Sequence, residues 1–366
     1  MATMGTTFGF PTPEQAFGAW QDLLRKSLAL PKVLEAAQTV RVGCTPSRQV
    51  YREDKLRLLR YETDAPQRYE TPLLVIFALV NRPYILDLRP GKSVVSHFLS
   101  SGFNTYNVDW GVPEGGDRFL SLEDYVTRYI DNVVDHIREE TGSPKINVLG
   151  YCMGGTLSAM YTALNPDKVN AFVALAAPFD WSKKESLLQT WTDERYFNVD
   201  RMLEVYGNAP PQWLQTSFLM LKPVQNLMEK YVGFYENMHD EKFLEDFFAM
   251  ETWLNDNIPV AGETFRQFVK YCFQQNLLIQ GKLHIGNQRV DLRRITCPVL
   301  NLVARGDHLV PPSQSLPLND AIGSKDHKAV EFPAGHIGMA VGSKAHRELW
   351  PQACAWLGER SDKLRG

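Results

Sequence analysis

Residues 146–164, INVLGYCMGGTLSAMYTAL, place a tight turn between two apolar segments. The first segment, residues 146–149, predicts a buried strand, and residues 156–164 predict a helix directly after it. The turn between them, GYCMG, has the G-x-nucleophile-x-G pattern of a nucleophile elbow, with Cys152 at the nucleophile's position. The glycines permit a sharp turn that holds the thiol at a helix N-terminus, where partial positive charge favours a thiolate. The alternative is a structural cysteine packed in a glycine turn.

The partners that an elbow nucleophile needs also occur in the chain. The elbow mechanism requires an acid and then a histidine, in that order, each after a later strand. Asp307 follows the apolar run 297–303, CPVLNLV, and His336 follows residues 329–332, AVEF. The sequence therefore predicts a catalytic triad of Cys152, His336 and Asp307. The other histidines are interpreted as solvated side chains, and His308 is expected to point away from the acid; the remaining ones are His97, His136, His239, His284, His327 and His346.

Apolar runs alternate with helical periodicity along most of the chain. Strands are predicted at residues 73–80, 103–110, 146–149, 169–176, 297–303 and 329–332, with a half-exposed strand or hairpin at 50–62. A helix with apolar spacing of three and four residues begins at Ser121 and is expected to end at Gly142. Strands that alternate with helices require parallel crossovers. The pattern therefore predicts an α/β-hydrolase fold, with a doubly wound, mostly parallel sheet.

This alternation stops between residues 182 and 295, a stretch that holds 17 of the chain's 41 Phe, Trp and Tyr residues. We expect residues 182–295 to form a helical cap, or lid, inserted into a core of residues 46–181 and 296–366. Residues 1–45 are expected to form an N-terminal helical arm. A second independent domain at 182–295 is the alternative. The aromatic residues either shelter the site from water or simply form the core of the cap.

Composition excludes several classes of protein. The 366 residues carry 39 Lys and Arg against 42 Asp and Glu, and this net charge of −3 argues against a basic nucleic-acid binder. Five cysteines without a CxxC pair favour a reducing, cytoplasmic setting over a disulfide scaffold or zinc ribbon. Neither a leader peptide nor a membrane span is predicted. No HExxH, GxGxxG or Walker loop occurs, so we expect no metal and no cofactor.

The oxyanion of an acyl-transfer reaction needs two backbone N–H donors. The elbow template assigns one to the residue after the nucleophile, which is Met153. The second is expected in the loop after the first buried strand, where we favour the amide of Val80 over that of Asn81. Asp87 lies shortly after this loop and is interpreted either as its anchor or as a helix cap. No short basic motif marks residues that bind coenzyme A.

Four motifs of the chain together resemble the polyhydroxyalkanoate synthases, which make poly(3-hydroxybutyrate) and related polyesters. The likeness covers roughly residues 40–358 and keeps the family's motif order. It maps the family's triad onto Cys152, Asp307 and His336. The short chain, without a long N-terminal domain, resembles the class III catalytic subunit. The motifs are LVNRPYILDLRPGKSVVSHFLSSGFNTYNVDWG at 79–111, GYCMGG at 150–155, ITCPVLNLVARGDHLVPP at 295–312 and FPAGHIGMAVG at 332–342.

The resemblance implies an acyltransferase that polymerises (R)-3-hydroxyacyl-CoA into polyhydroxyalkanoate through an acyl group on Cys152. The expected monomers are short-chain ones, such as 3-hydroxybutyryl-CoA, and CoA is the leaving group rather than a cofactor. The resemblance also implies a homodimer, a second non-catalytic synthase subunit, and a cytoplasmic location at the surface of polyester granules. Neither a nucleic-acid partner nor integral membrane attachment is expected.

Two other functions share some of these features. A Cys-dependent α/β hydrolase that cleaves a thioester, ester or lactone would use the same triad. A granule-coating protein that has kept the fold without the activity would not need the triad. Whether Asp307 only orients His336 or also acts on the 3-hydroxyl of the substrate stays open at this stage.

Overall fold

The computed structural model of the protein describes residues 13–364. The first twelve residues of the predicted arm and the last two residues of the chain therefore lie outside the described residues. Eight strands form one sheet in the order β1-β2-β4-β3-β5-β6-β7-β8. They are β1 (Ser47–Glu53), β2 (Leu56–Tyr61), β3 (Leu73–Ile76), β4 (Thr105–Asp109), β5 (Ile146–Tyr151), β6 (Val169–Leu175), β7 (Val299–Ala304) and β8 (His327–Phe332).

The sheet is parallel except at one edge. β1 and β2 form an antiparallel hairpin, and β2 is antiparallel to β4. All the other neighbours, from β4 and β3 to β7 and β8, run parallel. Every residue of β3, β5 and β7 is buried, as expected for strands covered by helices on both faces. The predicted doubly wound, mostly parallel sheet is confirmed.

The helices of the structure follow from local signals in the sequence. The helix predicted from Ser121 starts with reciprocal hydrogen bonds, in which the Ser121 N–H donates to Asp124 and the Asp124 N–H donates to the Ser121 hydroxyl. It begins with a π-helical turn, Asp124–Tyr129, and continues as Ile130–Thr141. Gly142 ends it with a left-handed backbone, φ 69°. The predicted ends of this helix are therefore confirmed.

The remaining helices flank the sheet or lie in the predicted insertion. The first is Pro13–Thr39, and Val94–Ser101 and Met153–Leu164 follow β3 and β5. The helices after β6 are Leu187–Trp191, Val199–Tyr206, Pro211–Met220, Lys230–Asn237, Glu241–Asn255 and Gly262–Phe268, and those after β7 are Pro312–Ser315, Leu318–Ala321, His336–Val341 and Trp350–Gly358. Within the described part of the chain, no helix is both long enough and apolar enough to cross a membrane.

The structure divides into two compact units whose boundaries differ from the predicted ones. Among the described residues, one unit comprises the chain up to Arg41 and residues 222–252, and the other comprises residues 42–221 and the chain from Trp253 onward. In the first unit, Met238 and Leu244 are buried with Ala29 of the N-terminal helix. The middle of the predicted cap therefore packs with the predicted arm, since both contribute apolar side chains to one small core. The boundaries at 182 and 295 stay a prediction.

Two further expectations need correction. The predicted insertion was expected to lack strands, but it contains a short hairpin of His284–Ile285 and Gln288–Arg289. The strand predicted at 73–80 ends at Ile76. Residues 77–79 are buried like the strand itself, so their apolar character reflects burial in a loop and not continued pairing. This shorter strand matters because the loop after it reaches the candidate site.

Candidate active site

Cys152 lies at the sharp turn between β5 and the helix Met153–Leu164. Its backbone has φ 55° and ψ −128°, which is a strained conformation for a residue with a side chain. The Cys152 N–H donates to the Leu175 carbonyl at 2.9 Å, and the Cys152 carbonyl accepts from Gly155 N–H at 2.9 Å. These hydrogen bonds hold the strained residue in place. The turn predicted from GYCMGG is therefore present, with the cysteine at its apex.

Three glycines make this turn possible. A Cβ on Gly154 would overlap the Ile76 carbonyl oxygen, and one on Gly155 would overlap the Cβ of Ala177. A Cβ on Gly150 would lie 2.6 Å from the Ser158 hydroxyl oxygen. The helix after the turn therefore approaches the sheet more closely than any side chain would allow. The glycines are required by packing, since none of the three has a positive φ.

His336 and Asp307 are brought together from the ends of two strands. The Nδ1 atom of His336 lies 2.6 Å from Oδ2 of Asp307. The other carboxylate oxygen, Oδ1, accepts from the backbone N–H groups of Leu309 and Val310 at 2.8 and 2.9 Å. The Asp307 side chain has no solvent exposure. Both oxygens of the acid are thus engaged, one by the imidazole and one by the backbone.

The electrostatics of this group favour a charged imidazole. Burial alone lowers the pKa of His336, but the Asp307 carboxylate and the Cys152 sulfur both hydrogen-bond to it and raise the pKa to about 10. The imidazolium form is therefore the stable one near neutral pH. Cys152, His336 and Asp307 form a connected row, which is the geometry that a nucleophile, a base and an orienting acid need.

Tyr151 contacts both the ring and the backbone of His336, and sequence analysis did not predict these contacts. The Tyr151 hydroxyl donates to the His336 carbonyl at 3.1 Å, and the two rings stack with centroids 5.1 Å apart and planes 22° apart. Burial, together with Cys152 and Asp307, raises the pKa of Tyr151 well above its usual value. The phenol therefore stays a neutral donor, and it fixes the backbone of the histidine from within the elbow.

The two predicted oxyanion donors lie beside the nucleophile. Val80 and Met153 line the same cavity as Cys152. Asn81, the predicted competitor of Val80, has a left-handed backbone with φ 63° and turns the chain away after Val80. The placement of Val80 and Met153 fits the predicted oxyanion hole, whose function stays a prediction.

Residues far along the chain fix this loop. The Arg82 guanidinium and the Tyr84 hydroxyl both donate to Asp256, each at 3.1 Å. The indole N–H of Trp253 donates to the Arg82 carbonyl at 2.8 Å. Sequence analysis missed Trp253 and Asp256, because nothing local in their segment signals a partner more than 170 residues away. We call these contacts the Asp256 clamp.

Asp87 anchors the next turn of the chain. It is buried and accepts from the Thr45 N–H and hydroxyl, at 2.9 and 2.6 Å, and from the Ser93 hydroxyl at 2.7 Å. Ser93 itself is the N-cap of the helix Val94–Ser101. These contacts join Asp87 to Thr45 and Ser93, and its role as the anchor of the loop after β3 stays a prediction.

Cys152 opens into an apolar cavity of about 420 Å³. Leu309 and Val310, next to Asp307, form one side of it. Aromatic side chains from the predicted insertion form much of the rest: Trp191, Trp213, Phe218, Phe265, Phe268 and Phe273. The cavity accommodates an aliphatic chain attached to Cys152 and holds few polar groups that would order water.

The structure corrects one histidine assignment. His346 was expected to be solvated but is buried, with Nδ1 3.1 Å from Nε2 of His97. Burial lowers the pKa of His346 to about 4, with help from His97 and Lys92, and burial also lowers the pKa of His97. His308, in contrast, is exposed. Burial raises the pKa of two further cysteines, Cys297 and Cys354, to about 12.

The fold of the site is shared with many known proteins. The "alpha/beta hydrolase fold" family matches residues 85–343. The crystal structure of the monoacylglycerol lipase of Paleococcus ferrophilus superposes with a TM-score of 0.51 at 18% identity, covering 84% of this chain and 100% of that one. The strand order and the elbow at Cys152 agree with this fold.

The chain also matches a family whose description is more specific. The family described as "Poly-beta-hydroxybutyrate polymerase (PhaC) N-terminus" matches residues 20–98. The poly(3-hydroxyalkanoate) polymerase subunit PhaC of Haloferax mediterranei is 44% identical over 356 residues, which is 97% of this chain and 72% of the relative. The subunit of the same name from Allochromatium vinosum is 41% identical over 345 residues, covering 93% of this chain and 97% of the relative.

Proposed function

Because the chain belongs to the poly(3-hydroxyalkanoate) polymerase family, we propose that it polymerises short-chain (R)-3-hydroxyacyl-CoA into polyester through an acyl group on Cys152. One observation carries the mechanism: Cys152 stands at a strained elbow, beside an imidazole bound to a buried carboxylate, and faces an apolar cavity. A thiol is suited to this reaction because exchange between two thioesters is nearly balanced in free energy.

The first half of the reaction loads the enzyme. The Cys152 sulfur attacks the thioester carbonyl after His336 has taken the thiol proton. The amides of Val80 and Met153 bind the oxyanion, and each such donor is worth about 3 kcal/mol in the transition state. The carbon–sulfur bond to CoA then breaks, and CoA leaves as a thiol with the proton from His336. The acyl group remains on Cys152 as a new thioester.

The second half forms the ester bond. The 3-hydroxyl of a monomer or chain end transfers its proton to His336 and attacks the acyl carbon. The bond between this carbon and the Cys152 sulfur then breaks, and Cys152 leaves as a thiolate beside the imidazolium of His336. Both oxygens of Asp307 are already engaged, one by His336 and one by two backbone amides. This supports a role for Asp307 in orienting and charging His336, without direct action on the 3-hydroxyl.

Partners and location are part of the proposal. We propose a homodimer, a second non-catalytic subunit, and attachment to cytoplasmic polyester granules through the growing chain. Exposed apolar side chains on the helix Pro13–Thr39 support a protein partner, because patches of this kind mark interaction surfaces. They are Phe17, Trp20, Leu28, Leu30 and Leu34, each more than half exposed.

The test uses purified protein and 3-hydroxybutyryl-CoA. Free CoA is followed with a thiol reagent while the other product is separated by size. We expect CoA release with insoluble polyester, and loss of both in Cys152→Ala but not in Cys44→Ala, where an exposed cysteine is replaced. CoA release with only monomeric acid would indicate a hydrolase instead. Activity retained in Cys152→Ala would contradict the nucleophile.

A further inference from the structure

The polar side chains in the cavity wall are few, and most already have a hydrogen-bond acceptor. Thr192, Thr216 and Ser217 each donate their hydroxyl proton to the carbonyl one helical turn earlier, at 2.6, 2.8 and 2.9 Å. Such side chains present mainly their methyl and methylene groups to the cavity. The lining tryptophans, Trp191 and Trp213, are each 38% exposed, so water can reach them.

Gln314 is different from these residues. It lines the cavity and is only 2% exposed, yet its side-chain Nε2 has no hydrogen-bond partner among the described residues. A buried N–H group without an acceptor destabilises the folded state, so native proteins satisfy nearly all of them. A donor left unpaired in the wall of an active-site cavity indicates an acceptor that arrives with the ligand.

The backbone at Gln314 is firmly positioned. Its carbonyl accepts from the N–H groups of Phe179 and Asp180 at 2.8 and 3.1 Å, and its own N–H donates to Pro311 at 2.8 Å. The next residue, Ser315, donates its hydroxyl to the Ala177 carbonyl at 2.6 Å. The side chain therefore starts from a fixed point between the segment that follows β6 and the segment that follows Asp307, which suits a binding group.

We propose that the Gln314 side-chain amide donates a hydrogen bond to the oxygen at the 3-position of the acyl group on Cys152. This oxygen belongs to a hydroxyl in a newly loaded monomer and to an ester in an elongated chain, and in both cases it accepts a hydrogen bond. An amide N–H therefore serves every cycle, whereas an acceptor would fit only the hydroxyl. The inference rests on the proposed function and assigns Gln314 as a substrate-binding residue that selects 3-oxygenated acyl groups.

The test compares two thioesters that differ only at the 3-position. Acylation of Cys152 by 3-hydroxybutyryl-CoA and by butyryl-CoA is measured in a single turnover by intact-protein mass. In Gln314→Leu, we expect the rate ratio between the two thioesters to fall at least tenfold, with the butyryl rate within twofold of wild type. The melting temperature should stay equal or rise, since an unpaired buried donor is removed.

Two further variants complete the design. Gln288→Leu makes the same replacement at an exposed position in the short hairpin and should keep the wild-type ratio. Gln314→Met keeps the length of the side chain and repeats the test if the leucine variant does not fold. An unchanged ratio in a folded Gln314 variant overturns this proposal alone. Wild-type protein that neither thioester acylates contradicts the proposed function, and this proposal with it.

Discussion

At the scale of single residues, the site depends on a charged imidazole held between Cys152 and Asp307. Burial opposes this charge, and the raised pKa of His336 shows that the hydrogen-bonded partners outweigh burial. A buried carboxylate without solvent exposure would itself be unfavourable unless it were fully hydrogen-bonded, as it is here. Each of the two charges therefore depends on the other.

The first prediction concerns the pH dependence of stability. Folding raises the pKa of His336 from 6.5 to about 10, so the stabilisation is fully present below pH 6.5 and is lost as pH rises through 10. We expect Asp307→Asn to lower the free energy of unfolding most near pH 6 and progressively less toward pH 10. Urea unfolding at pH 6, 8 and 10 measures this. The exposed Asp167→Asn is the control, and a difference that does not vary with pH would contradict the assignment.

The second prediction concerns Tyr151. Tyr151→Phe keeps the ring stack on His336 and removes only the hydrogen bond to the His336 carbonyl. We expect kcat to fall about threefold to tenfold, with a shifted pH–rate profile and little change in KM, because the imidazole loses a positioning contact. Tyr51→Phe, in the outer hairpin, serves as the matched control. A loss of stability with an unchanged pH profile would reduce Tyr151 to a packing role.

At the scale of elements, the reacting groups lie in loops and at the first residues of helices, and hydrogen bonds from other segments help to determine their positions. The loop from Val80 to Tyr84 depends on the Asp256 clamp, which lies beyond the helix Glu241–Asn255. The elbow, in contrast, is positioned by its own strand and helix and by the neighbouring strand β6, whose Leu175 carbonyl accepts from the Cys152 N–H. The two oxyanion donors are thus supported in different ways.

The third prediction follows from this difference. In Asp256→Asn, the Arg82 guanidinium loses its charged acceptor, and the amide of Val80 is expected to be less well positioned. We expect kcat for CoA release to fall about tenfold or more; removal of an oxyanion donor costs about 100-fold to 1,000-fold, and here the donor is displaced and not removed. Steady-state kinetics with 3-hydroxybutyryl-CoA measure it, beside the exposed Asp64→Asn. A wild-type kcat in a folded Asp256→Asn would show that the clamp is structural only.

The difference between local and long-range contacts also explains what could be predicted from the sequence. The elbow, Asp307 and His336 were predictable because each follows an apolar run that the local sequence alone identifies as a strand. Gln314, Trp253 and Asp256 were not, since their roles arise from contacts across the fold. The pairing of His97 with His346 was missed for the same reason. Helix ends with a capping signal, such as Ser121 and Gly142, were predicted correctly.

At the scale of the whole molecule, the chain forms a sheet-containing unit that holds the site and a helical unit with its own small apolar core. The sequence did not predict that residues 222–252 pack with the N-terminal helix, because helical periodicity shows that a face is apolar but not which partner covers it. Several apolar side chains of the helical unit remain exposed in the single chain, including Leu28 and Leu34.

The fourth prediction concerns association. Leu34 is 62% exposed on the helix Pro13–Thr39, so Leu34→Lys should leave folding intact while it weakens any complex formed through this face. We expect the dissociation constant of the homodimer or of the two-subunit complex to rise about tenfold or more. Light scattering after gel filtration measures this, with Gln38→Lys on the same helix as the control. Equal assembly of both variants would exclude this face as the interface.

The closeness of the elbow glycines to the sheet has a consequence for engineering. Substitutions at Gly150, Gly154 or Gly155 would displace the backbone and remove activity whatever the monomer, so mutant libraries directed at this turn should contain few active members. Phe265 and Phe273, in contrast, line the cavity and are not part of the turn, so we expect a smaller side chain at either position to leave the turn in place. A smaller side chain at these positions would admit bulkier monomers, and bulkier side groups disturb the packing of polyester chains in the solid. Substitutions at Phe265 and Phe273 should therefore change the stiffness of the polyester without altering the chemistry at Cys152.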